Sequence, residues 1–144
     1  MDTPLTFAAW SSSLTQRGFT VLPSSHAVPI ELWLRTPFDG PLGNEVLHLR
    51  ARGTRVTLRR FSATALAGLI LRSECDCEEH RTAGATTRTS LVPGAQPLAE
   101  VVYDGAADLG WVGYQAGLLD VPSASVLFDR LLAEIAPGAV PQVA

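Results

Sequence analysis

Five arginines, Arg50, Arg52, Arg55, Arg59 and Arg60, fall within eleven residues. A guanidinium is a planar fork of N–H donors that grips a carboxylate or phosphate through two parallel hydrogen bonds. With a strand period of two, Arg50 and Arg52 share a face with His48, and Arg55 and Arg59 share a face of the following strand. Together they could clamp an acidic segment of another protein. The plainer reading is a solvated sheet face whose arginine stems cover apolar neighbours. A third reading is contact with nucleic acid. Single strands, however, are held by aromatic side chains interleaved with the cations, and only Phe61 lies near. Trp33 and Trp111 sit in strand-like stretches. Such aromatics belong to the core when covered, and join the partner-binding set when exposed.

Cys75, Cys77 and His80 place three soft donors within six residues. Thiolate and imidazole suit zinc, but the usual Cys-x2–4-Cys spacing is not met and no second cysteine pair completes a tetrahedron. A fourth ligand would have to come from His26 or His48. The plainer reading is an acidic loop, since Glu74, Asp76, Glu78 and Glu79 surround the cluster. Their charge disfavours a thiolate, which argues against a cysteine nucleophile. Glycine-rich dinucleotide fingerprints, phosphate loops and serine elbows are absent from the sequence. Asp104 and Asp108 read as turn formers, because the other oxygen ligands of a calcium loop are missing. The sequence therefore predicts no enzyme and no cofactor.

The elements that must position these groups are legible in outline. Thr3-Pro4 reads as a cap followed by proline in the first turn, and Phe7, Trp10 and Leu14 follow at helical spacing up to Gly18. This predicts a helix over 4–17. Residues 21–28 read as a loop, and 30–35 as a strand covered on both faces. Residues 45–61 read as a hairpin with its tip at 52–54. Ser62 could cap a helix over 63–73, on the strength of its alanines and leucines. Residues 74–97 read as loop with one short strand near 88–92. A strand over 98–103 and a returning strand over 109–116 make a second hairpin. Asp120-Val121-Pro122-Ser123 opens a last helix with an apolar stripe of Leu127, Phe128, Leu131, Leu132 and Ile135.

The predicted order is α-β-β-β-α-β-β-α. This is an α+β fold, a single antiparallel sheet with flanking helices, in one domain over 1–138 with a flexible tail over 139–144. The 144 residues suit one domain, and 47% apolar content suffices for a core. A net charge of −3 opposes bulk nucleic acid at long range, so direct nucleic-acid binding is not the favoured expectation. Met1-Asp2 lacks the basic start of a signal peptide, and no window is apolar enough for a membrane span. With two near-adjacent cysteines and no disulfide framework, the expected setting is cytoplasmic.

Leu14 followed by Gly18-Phe19-Thr20-Val21, then Val101-Val102-Tyr103-Asp104-Gly105, Leu109-Gly110-Trp111-Val112 and the helix containing Leu127 and Leu131, resembles the YbjN family. The resemblance covers both ends, about half of the chain, and residues 62–97 depart from it. YbjN proteins are similar in fold to type III secretion system chaperones. The resemblance implies a chaperone-like, non-catalytic homodimer that binds an extended segment of a partner protein, with no cofactor.

Overall fold

The computed structural model describes residues 4–37, 43–72 and 85–136. Helix α1 spans Phe7–Gln16 and starts later than its sequence predicts. The cap is Thr6 rather than Thr3, because the Thr6 hydroxyl accepts the Ala9 N–H at 3.1 Å. The end is as predicted. Gly18 takes φ +96°, its N–H reaches the Thr15 carbonyl, and the Phe19 N–H reaches that of Leu14. These two bonds close a Schellman motif and turn Phe19 back onto the core.

Strands β1 (Thr20–Val21) and β2 (His26–Ala27) occupy the segment read as a loop. Both pair antiparallel with β3 (Ile30–Arg35), as one interrupted edge strand. Across the interruption the Trp33 N–H donates to the Ser25 hydroxyl at 2.8 Å, so no ladder donor is orphaned there. Strands β4 (Glu45–Arg52) and β5 (Arg55–Ser62) form the predicted hairpin. Of its two turn residues, Gly53 and Thr54, Gly53 alone has positive φ, +61°, the pattern of a type II′ turn.

The predicted helix over 63–73 is not formed. Ser62 does act as a cap, but only for one 3-10 turn over Ala63–Ala65. The chain then leaves as strand β6 (Leu66–Arg72) and returns as β7 (Ala85–Leu91), longer than the short strand read near 88–92. Gly68 weakens a helix here, and pairing with a partner strand overrides the helical preference of alanine and leucine.

Strand β8 (Ala99–Asp104) adds beside β5. The main sheet thus runs β1-β3-β4-β5-β8, all antiparallel, with β2 also on β3, and β6-β7 is a separate two-stranded ladder. The returning strand over 109–116 is also corrected. The Asp104 carboxylate accepts N–H bonds from Ala106 and Ala107, which caps helix α2 (Gly105–Leu109), and Gly110 closes it at φ +72°. A 3-10 turn over Gln115–Leu118 follows. Helix α3 (Val121–Ile135) starts where the sequence places it, with the Asp120 carboxylate accepting the Ser123 N–H. The fold is α+β, an antiparallel sheet flanked by helices. The predicted first and last helices, the strand over 30–35 and the hairpin over 45–61 hold, while the segment read as loop over 21–28, the middle and the last hairpin differ. Residues 139–144 lie outside the described residues.

Alternation within the strands separates two faces. Ile30, Leu32, Leu34, Leu47, Leu49, Val56 and Leu58 all lie on one face, sealed under α1 and α3 by Trp10, Leu14, Phe128 and Leu131. Trp33, Val46 and Phe61 lie on the other, where Leu22, Ala65, Leu66 and Leu91 cover one end of the sheet. The remaining end of that face is bare.

Arg60 departs from its four neighbours, because it points to the helix side. Its Nη1 donates to the Ile135 carbonyl at 2.9 Å, where the last carbonyls of α3 need donors. Its Nε lies 3.0 Å from the Glu45 carboxylate, without the alignment of a hydrogen bond. Arg60→Ala is expected to cost about 1.5–3 kcal/mol, the worth of a hydrogen bond from a charged group. A urea midpoint unchanged from wild type would refute the role.

Candidate functional site

Four of the predicted partner-binding residues meet on the bare end of the sheet. Register places His48 opposite Arg59, Arg50 opposite Thr57, and Arg52 opposite Arg55. These six side chains line one groove of about 200 Å³. The neighbouring strands contribute carboxylates at the flanks. Glu31 accepts from His48 Nε2 at 3.0 Å and lies 4.0 Å from Arg50 Nε, and Glu100 accepts from Arg59 Nε.

Arg52 and Arg55 have no carboxylate within 4.0 Å among the described residues. Asp104 stands opposite Arg55 in the ladder, but its carboxylate is turned to the cap of α2. Two like charges directly opposite across a ladder destabilise it. A juxtaposed, unneutralised pair of guanidiniums beside the hairpin tip is therefore a local conflict, of the kind that marks a binding surface. The groove can take an anion through charge-assisted, bidentate bonds.

Trp33 and Trp111 do not join this set. Trp33 is 7% exposed and stacks on the His48 ring at 3.8 Å, so it is floor rather than contact surface. Trp111 lies on the helix side of the sheet, edge-to-face with Tyr103. Cys75, Cys77 and His80 lie outside the described residues. Their suggested fourth partners are engaged elsewhere. His26 donates through Nδ1 to the Pro29 carbonyl, and His48 turns to Glu31. Among the described residues no group of three His, Cys, Asp or Glu side chains could hold a metal ion.

Burial pushes the His48 pKa below the usual imidazole value of 6.5, and nearby Arg50 and Arg59 push the same way against the pull of Glu31. A carboxylate only accepts, so the neutral ring carries its proton on Nε2. The unfolded chain binds this proton more readily than the folded one. Stability is therefore complete well above pH 6.5, declines as pH falls from 6.5 toward the lowered folded value, and levels off below it, where both states carry the proton. Denaturation series across that interval should show the decline, and His48→Gln should flatten it. A decline of equal size in His48→Gln would assign it to other groups.

Sequence reasoning missed a second concavity, of about 430 Å³, on the helix side near α2 and the first half of α3. Its one signal in the sequence is the run Pro122, Val126, Arg130 at four-residue spacing, which puts an apolar residue outside the buried stripe of α3.

The fold and site define an α+β domain whose sheet is sealed by helices on one face and edged with guanidiniums on the other. No protein-family model, no curated protein and no solved structure matches the chain. Among the described residues no helix is long and apolar enough to cross a membrane.

Proposed function

We propose that this protein is a non-catalytic, chaperone-like adaptor that binds an extended acidic segment of a partner protein on its arginine face. The observation that carries the reading is the opposed Arg52–Arg55 pair, with Arg50 one register step further along β4. An extended peptide repeats its side chains on one side about every 6.5–7 Å, the same repeat as Arg50 and Arg52 along their strand. Carboxylates at every second position therefore meet successive guanidiniums. The resemblance to the YbjN family supports a protein client and a homodimer, and the expected setting is cytoplasmic.

Nucleic acid is the alternative occupant, and two observations weigh against it. The chain is acidic overall, and Trp33 and Phe61, on the same face of the sheet as the groove, are buried and offer no stacking platform. Fluorescence anisotropy with a labelled peptide of alternating Glu and Val, and with a labelled single-stranded oligonucleotide, separates the two. Peptide binding that weakens as salt rises is the expected result. Tighter binding of the oligonucleotide, or of neither, overturns the reading. Light scattering at micromolar concentration tests the dimer, and a 15.3 kDa monomer refutes it.

A further inference from the structure

The concavity on the helix side is built from segments distant in sequence. Tyr103 from β8, Leu109 from the end of α2, and Trp111 and Leu119 from the loop form one wall. Leu127, Val126 and Pro122 on α3 form the other. The wall is seated by one glycine. A Cβ on Gly105 would lie 1.9 Å from Trp111 Cε3, so the indole lies flat on the bare backbone there. The Trp111 backbone N–H also donates to the Gly105 carbonyl at 3.1 Å. The polar tip of Tyr103 is turned away, donating to Asp108, which leaves its ring face to the cleft.

One cation stands at this cleft. The Arg130 guanidinium lies 5.6 Å over the centre of the Tyr103 ring, an orientation that a cation–π contact favours. Among the described residues it has no carboxylate within ion-pairing distance. Val126 beside it is 72% exposed and Leu109 62%, so the apolar walls are open to water as they stand. A cleft of this size, mostly apolar with Arg130 and Ser123 as polar groups in its lining, is the usual form of a small-molecule site.

We infer that this cleft binds a small amphipathic carboxylate, with its apolar body between Trp111 and Val126 and its carboxylate on Arg130. Charge complementarity selects the occupant. An apolar body alone satisfies the walls, and only an anionic head also satisfies the guanidinium at the rim. The site is separate from the arginine face, on the opposite side of the sheet, and does not rest on the adaptor reading.

The test uses 4-phenylbutyrate and its neutral counterpart 4-phenylbutanol as probes, titrated calorimetrically into the full chain. Saturable one-to-one binding of the carboxylate, about tenfold tighter than the alcohol, is the expected result. Arg130→Gln should remove that difference and leave the alcohol unchanged. Val126→Trp should fill the cleft and remove both, and because Val126 is exposed the fold should survive, as a thermal melt would verify. Absence of saturable binding overturns the inference. So does equal affinity for the two probes, or binding undiminished in Val126→Trp. If Val126→Trp instead converts a dimer into a monomer while wild-type protein binds neither probe, the cleft belongs to a second copy of the chain.

Discussion

Replacing Arg52 and Arg55 together by threonine is expected to abolish capture of an acidic segment and to raise the stability of the fold at the same time. The two guanidiniums face each other across the ladder with no carboxylate within 4.0 Å among the described residues. Relieving such a like-charge pair should return about 0.2–1 kcal/mol. Threonine is also a good strand former, so the exposed ladder positions should accept it. Binding moves the other way. Each charge-assisted hydrogen bond contributes about 1.5–3 kcal/mol, so losing two should weaken an acidic peptide by about 100-fold or more. Anisotropy and urea denaturation on the same samples provide both measurements. A variant that binds as before would remove the arginine pair from the site. A variant that loses stability would show the pair holding the sheet together instead, and the conflict that points to a binding role would vanish.

The largest effect on stability is expected from Phe128→Ala. Phe128 is fully buried on α3, and its ring meets Trp10 of α1 at 6.1 Å and Phe19 at 6.3 Å between centroids. It joins both helices to the residue that the Schellman motif turns inward. Removing a buried phenyl group costs the lost transfer free energy and the cavity left behind, about 3–5 kcal/mol. Against a domain stability of about 5–15 kcal/mol, this is enough to unfold a sizeable part of the population near the lower end. Chemical denaturation measures it directly, and Phe128→Leu should lie between the variant and wild type. A loss under about 1 kcal/mol would mean that the two helices do not share this ring.

The parts that local signals specify were legible. Gly18 ends α1 because only glycine readily takes φ +96° there, and Asp120 and Pro122 mark the start of α3 by their own chemistry. The β4–β5 hairpin follows from alternation, which also places Arg50, Arg52, Arg55 and Arg59 on one face without any coordinates. The rest depended on partners far away in sequence. Residues 66–72 carry apolar content that serves a helix or a strand, and β7 decides between them. Asp104 is a turn former and a helix cap by the same carboxylate, and in this chain the cap prevails. That choice removes the second arm of the hairpin on which the YbjN resemblance was partly drawn. Trp33 was readable as contact or core, and what makes it core is the His48 ring stacked on it and the cover of Leu22, Ala65, Leu66 and Leu91 over that end of the sheet.

Every cation on the groove is a guanidinium, for the chain contains eleven arginines and no lysine. A guanidinium keeps its proton well into the alkaline range, whereas an ε-amine can be silenced by acylation. The electrostatic grip of this surface is therefore permanent. Enzymes that acetylate lysine have no substrate on it, and amine-reactive labels and cross-linkers will pass it by. Above pH 6.5, where the His48 ring that also lines the groove is neutral, the charge that adjusts attachment here resides on the bound anion.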